Sequence, residues 1–200
     1  LDQEIAENAA HTPYLRPLSQ PRFRREQKGL TPAERGTATH LVLQRLDFAD
    51  PDVPAQIAAL AGKGLLTPAQ ARAVDVAALR RFLASPLAEE LRAAQAAGRT
   101  PLREYRFTLL IPAREYDPQA ASEDSILLQG VADLCFETDS GLTVVDFKTD
   151  RVSAPPEIAA RAEVYRPQLQ AYSLALSRCL GRPVTRRVLY FLVPGEAFEV

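Results

Sequence analysis

Two hundred residues with a 46% hydrophobic fraction make one large domain, or a core domain with a helical attachment. Folding at this size hides roughly 70% of the unfolded surface, so no disulfide or structural metal is needed to build a core. A formal net charge of -1 argues against tight autonomous binding to nucleic acid, because affinity from phosphate neutralisation needs many cationic contacts; such a substrate would have to be gripped locally or delivered.

The chain opens on residues 1–30, polar and rich in Pro and Arg, which read as a linker or arm; Arg22, Arg24, Arg25 and Lys28 are its one dense basic run. Thr31-Pro32-Ala33-Glu34 combines an N-cap threonine, a proline at the first helical position and a glutamate three residues after the cap. This predicts a helix to about Phe48 that carries His40. A short helix is expected over Pro54 to Lys63, another from Thr67 to about Ala84, and a third from Ser85 to Gly98. Residues 50–98 hold no cluster of catalytic residue types and read as a helical insertion that shapes access or packs against a partner.

Helical spacing then gives way to strands. Leu102 to Ile111 alternates, with Glu104, Arg106 and Thr108 on one side. A polar loop from Pro112 to Asp124 leads to two apolar runs, Ile126 to Phe136 and Leu142 to Phe147. A long helix is expected from about Glu157 to Leu180, then a strand over Arg187 to Val193 and a last short one from Ala197. The order gives an α/β or α+β sheet flanked by helices. Cys135 and Cys179 lie in apolar stretches and are expected in the core; they are too few for a zinc or iron–sulfur site. No apolar stretch of 18 residues and no signal pattern occurs, so neither membrane insertion nor export is expected, and a cytoplasmic setting fits. Methionine is absent even at position 1, from which a longer parent polypeptide is expected.

Thr138-Asp139-Ser140-Gly141 suits a hairpin turn between the two apolar runs. If Glu137 pairs with Leu142, Asp133 falls directly opposite Asp146, with β-carbons about 4.5–5.5 Å apart. Lys148 follows Asp146 by two and points to the same face. Two acids and a lysine on one apolar face are costly unless a divalent cation neutralises the acids. A metal-dependent site is therefore expected, against the plainer alternative of a structural Asp–Lys pair.

The acid, acid-x-lysine constellation resembles the PD-(D/E)xK nuclease superfamily. Gly36-Thr37-Ala38-Thr39-His40 resembles the G-x-x-x-H segment of RecB-type nuclease domains, and Gln168-Leu169-Gln170-Ala171-Tyr172 their Q-x-x-x-Y motif. With Gly130-Val131-Ala132-Asp133 and Val145 to Asp150, the matches span residues 31 to 193. The chain is most similar to the carboxy-terminal nuclease domains of the AddA family of bacterial helicase–nucleases. The resemblance implies a restriction-endonuclease-like core, a mixed sheet flanked by helices, over residues 31–200. It implies Mg2+ (Mn2+ substituting) held by Asp133, Asp146, His40 and the Phe147 carbonyl, with Lys148 aligning water. Gln168 and Tyr172 would orient the DNA backbone or the lysine, and Glu104 would bind a second metal or water. Tyr165, Arg166, Arg151 and Arg161 are candidate phosphate contacts.

The implied activity is hydrolysis of single-stranded DNA fed by a helicase portion of the same polypeptide, beside an AddB-like second subunit, in double-strand-break repair and recombination. No G-x-x-x-x-G-K-[ST] loop is present, Gly62-Lys63-Gly64 lacking the spacing, so no ATP site is expected within this chain; nor is an iron–sulfur cluster. Two other expectations compete: a catalytically silent nuclease-like module that guides DNA or holds a partner, and a stand-alone nuclease.

Overall fold

Threonine, aspartate and serine caps start every described α-helix but the last, whose N-cap is Ala154. In the computed structural model, residues 29–115 and 118–200 are described, so all but the last two residues of the expected arm, its basic run included, lie outside them. Helix α1 (Pro32–Arg45) begins with the full capping box of Thr31 and Glu34. It stops three residues short of Phe48, where Leu46 turns to extended backbone. Helices α2 (Val53–Gly62), α3 (Pro68–Ala73), α4 (Val76–Leu83) and α5 (Pro86–Ala96) follow. One helix is expected across residues 67–84, but two form. The Asp75 carboxylate accepts from the Ala78 amide at 2.9 Å and caps α4, offering the backbone an alternative to continuing α3.

Strands β1 (Leu102–Pro112), β2 (Ser125–Thr138) and β3 (Gly141–Lys148) come next, with a 3-10 turn at Ala113–Glu115. Helix α6 (Pro155–Leu180), β4 (Val184–Phe191) and β5 (Glu196–Glu199) complete the chain. The five strands lie in the order β1-β2-β3-β4-β5. All neighbours are antiparallel except β3 and β4, which are parallel and joined across the sheet by α6. Gly181 in left-handed conformation, φ 65°, ends α6 where the sequence places the stop. This is the mixed, helix-flanked sheet of a restriction-endonuclease-like α/β fold.

Each sheet face is covered by a different layer. Leu134, Phe136, Val145, Phe147, Val188 and Tyr190 pack beneath α1 to α5 in one continuous core. On the opposite face Cys135 and Val144 meet Ala175 and Leu176 of α6, while Leu189 and Phe191 meet Ile158, Ala162 and Leu169. Covered on both sides, β3 is buried along nearly its whole length, which explains its unbroken apolar run. The helices of residues 53–96, set between α1 and β1 in the chain, supply about half of the larger core: Phe82, Leu79 and Leu91 are wholly buried in it. They are one wall of the domain rather than an appendage. Cys135 is a core thiol that burial pushes up to about 12. Cys179, expected in the core, is exposed on the outer side of α6. Among the described residues no helix is long and apolar enough to cross a membrane.

Tyr190 packs edge-on against Phe82 (5.0 Å) and Phe147 (6.1 Å). Its hydroxyl lies beside Ser85, whose own hydroxyl donates to the Phe82 carbonyl at 2.6 Å, and has no aligned hydrogen-bond partner. A buried, unsatisfied hydroxyl costs roughly 1–3 kcal/mol. Tyr190→Phe is therefore expected to raise stability by about 1 kcal/mol in urea denaturation. A clear loss would show that the hydroxyl is bonded.

Candidate active site

Three acids fall in one row across three adjacent strands. The β2–β3 ladder pairs Glu137 with Leu142, the register inferred from the hairpin, and continues to Leu134 opposite Val145. The next position sets Asp133 against Asp146. The β1–β2 ladder pairs Arg103 with Leu134 and Tyr105 with Ala132, so Glu104 stands across from Asp133 on the other side. Glu104 is the sole described residue other than glycine with positive φ, at 50°. A glutamate in this left-handed conformation is strained, and such strain gathers at functional sites.

The sheet opens at this row. Phe147 would next face Ala132 in a continuing ladder, but its amide donates instead to Asp133 Oδ2 at 2.8 Å. A side-chain carboxylate thus replaces a backbone carbonyl, and the strands part without leaving that buried amide unpaired. Phe147 itself is held by an edge-on contact with Phe82 at 4.9 Å.

Asp133, Glu104 and His40 form one group of donors. Helix α1 buries Ala38, Val42 and Leu43 and sends His40 to the row, where Nδ1 lies 3.2 Å from Asp133 Oδ1. One ligand atom from each of His40, Glu104 and Asp133 lies within 4.8 Å of the others. Ligand atoms this close could serve one divalent cation or a pair of them. Burial disfavours charge on His40, but the hydrogen bond to Asp133 and the fields of Asp133, Asp146 and Glu104 outweigh it and raise its pKa. Burial and the Asp133 charge raise that of Glu104.

Asp146 and Lys148 form a second group. Asp146 is 5% exposed, and burial, then repulsion from Asp133, push its carboxyl up against the pull of Lys148. Lys148 Nζ lies 2.7 Å from Asp146 Oδ2. The contact is ionic rather than directed: Oδ2 is buried without an aligned hydrogen-bond donor. Lys148 also donates to Gln168 Oε1 at 3.2 Å, and Gln168 Nε2 donates to the Tyr172 hydroxyl at 3.0 Å. Gln168 and Tyr172 are one turn apart on α6 and share a face. The Tyr172 ring sits edge-on to Phe107 at 5.1 Å, over Gly130. A Cβ on Gly130 would come within 2.8 Å of Phe107 and 2.9 Å of Tyr172, so the glycine makes the seat of that ring.

The two groups meet through Asp133, which bonds the Phe147 amide between Asp146 and Lys148. A buried carboxylate oxygen with an ionic partner but no aligned donor, two further carboxylates and an imidazole are an oxygen-rich donor set of the kind hard divalent cations take. Such residues fit a metal. The candidate phosphate contacts fare differently. Arg166 pairs with Glu163 and Arg161 with Asp150, so both charges are already answered. Arg151 lines a cavity of about 1030 Å³ beside the row, with Arg35, Gly36, Thr149 and Tyr165. Sequence reasoning gave Asp150 no role, although it lies two residues after Lys148. It also set Tyr165 among phosphate contacts, although that residue stands one turn before Gln168, on the same helical face.

The sequence profile of the PD-(D/E)XK nuclease superfamily matches residues 14–198. The chain is 38% identical over 201 residues to the ATP-dependent helicase/nuclease A subunit of Acetivibrio thermocellus, covering 98% of this chain and 16% of that protein. The protein of the same name from Moorella thermoacetica is 39% identical over 206 residues, with 96% and 14% covered. That of Bacillus thuringiensis is 38% identical over 214 residues, with 99% and 17% covered. The chain therefore spans about one sixth of the length of these relatives. With a profile match over nearly all of its length, and on the restriction-endonuclease-like sheet described above, the chain belongs to the PD-(D/E)XK nuclease superfamily.

Proposed function

We propose that this chain is a Mg2+-dependent deoxyribonuclease domain that hydrolyses phosphodiester bonds of single-stranded DNA. The single observation that carries the proposal is the row of Glu104, Asp133 and Asp146, with His40 at one side and Lys148 at the other. Asp133, Asp146, His40 and the Phe147 carbonyl would hold the cation, and Glu104 a second cation or a water. When bound, a divalent cation polarises the scissile phosphate and makes a water acidic enough to attack at neutral pH. Lys148 aligns that water and offsets charge building on the phosphate oxygens. Gln168, backed by Tyr172, fixes the lysine by its amide oxygen. Exclusion of water by the two core layers strengthens each of these charges.

The names of the relatives support a motor as the source of substrate, outside the sixth of their length that this chain matches. Delivery by an attached helicase fits a net charge near zero, because tethering supplies the effective concentration that the domain's own field does not. The setting would be the processing of double-strand breaks for recombination in the bacterial cytoplasm, with an AddB-like second subunit.

Cation binding to the folded state alone should stabilise it by about 2.7 kcal/mol at a concentration of 100 Kd. Mg2+ or Mn2+ is thus expected to raise the melting temperature and to support cleavage of a single-stranded oligonucleotide, both reversed by chelation. Asp146→Ala should abolish the thermal shift. An unmoved melting temperature at millimolar metal, with no cleavage, would support the catalytically silent module instead.

A further inference from the structure

We propose that Tyr165 is a positioning residue for Lys148: its ring face seats the ammonium group, and Asp150 with Arg161 fixes the ring. This rests on the nuclease function proposed above, in which Lys148 serves the hydrolysis.

The Lys148 ammonium is enclosed on three sides, its side chain 13% exposed. It has three N–H donors. One side is Asp146 Oδ2, one is Gln168 Oε1, and the third is the Tyr165 ring, whose centroid lies 3.6 Å from Nζ. That distance is well within the reach of a cation–π attraction, which strengthens where water is excluded. When Asp146 serves as a metal ligand, its claim on the ammonium weakens. Gln168 and the Tyr165 ring are then the two contacts left to hold a flexible four-carbon side chain in one place.

The ring is itself fixed. The Tyr165 hydroxyl donates to Asp150, 3.2 Å from Oδ2 and 3.3 Å from Oδ1. Arg161 Nε donates to Asp150 Oδ1 at 2.8 Å, and its guanidinium lies 5.3 Å from the same ring. Asp150 is two residues beyond Lys148 on the chain. The loop that leaves the lysine's strand therefore carries the acid that orients the lysine's seat. The seat suits a compact ammonium: a planar guanidinium fork presents its donors in fixed directions and would not meet a carboxylate, an amide and a ring face at once. Lysine is scarce in this chain, three residues against twenty-one arginines, and one of the three stands here.

That scarcity makes the test direct. Lysine labelled with 13C at Cε gives three methylene signals, and Lys148→Met identifies which is Lys148. In wild type the Lys148 methylene protons next to Nζ should lie upfield of the other two, through the ring current of Tyr165. Tyr165→Phe, which keeps the ring but loses its bond to Asp150, should keep that shift only in part; Tyr165→Leu and Tyr165→Met should lose it, each remaining folded by circular dichroism. On a single-stranded oligonucleotide with Mg2+, Tyr165→Leu should lower kcat roughly tenfold with KM unchanged, while Tyr165→Phe, with the ring present but unanchored, falls between it and wild type. An active enzyme whose lysine shift and kcat are both indifferent to losing the ring overturns the seat. An inert wild type overturns the nuclease function, and with it the seat's catalytic purpose, even if the ring-dependent shift is found.

Discussion

If Asp146 holds the cation as proposed, Asp146→Ala is expected to lower Mg2+-dependent cleavage by about a thousandfold or more, since losing such a ligand forfeits several kcal/mol of transition-state stabilisation. The domain should stay folded. Asp146 is buried, and both burial and the neighbouring Asp133 charge disfavour its ionised form, so its removal relieves repulsion as well as deleting a contact. Lys148 keeps Gln168 and the Tyr165 ring. Asp133 makes a poorer probe, because its carboxylate also binds the Phe147 amide that lets the sheet open. Loss of activity at Asp133 would mix chemistry with structure. Single-turnover cleavage of a labelled single strand, alongside far-UV circular dichroism, checks the outcome. Wild-type rates in Asp146→Ala would overturn the metal site.

Phe82→Ala is expected to cost about 3–5 kcal/mol of stability, the range for emptying a buried aromatic site. Phe82 is wholly buried on α4 and meets three aromatic rings edge-on: Phe48 at 5.7 Å, Phe147 at 4.9 Å and Tyr190 at 5.0 Å. Folded domains are stable by about 5–15 kcal/mol in total, so one side chain carries a large share. The contact with Phe147 ties the helical layer to the strand between Asp146 and Lys148. Urea denaturation gives the number directly, and a loss under about 1 kcal/mol would make the layer peripheral after all. The same packing means that deleting residues 50–98 is no clean probe of partner binding, because it strips one face of the sheet.

The hairpin was legible because strand period and turn chemistry are local. Thr138 to Gly141 fixes the register, and the register alone sets Asp133 against Asp146. Helix starts were legible for the same reason, since a cap and the amide it binds lie within four residues of each other. Less visible was whatever depends on the third dimension. Nothing near Glu104 announces its left-handed backbone. The helices of residues 53–96 read as an insertion because their apolar residues are mostly alanine and leucine, and what those residues cover lies some fifty positions later in the chain. Asp150 carries no local signal of its part because its partners, Arg161 and Tyr165, sit beyond a proline-marked break. Cys179 occupies an apolar stretch yet faces outward, since a helix turns a run of residues through every direction.

The backbone at Glu104 has a consequence for how this domain is to be engineered. A glycine would adopt φ 50° there at little cost, so a search for sturdier variants will be drawn to that position. Its reward would be a calmer β1 strand and the loss of one carboxylate from the row. Robustness and competence pull against each other at this one residue, and thermal selection without an activity screen would trade the second for the first.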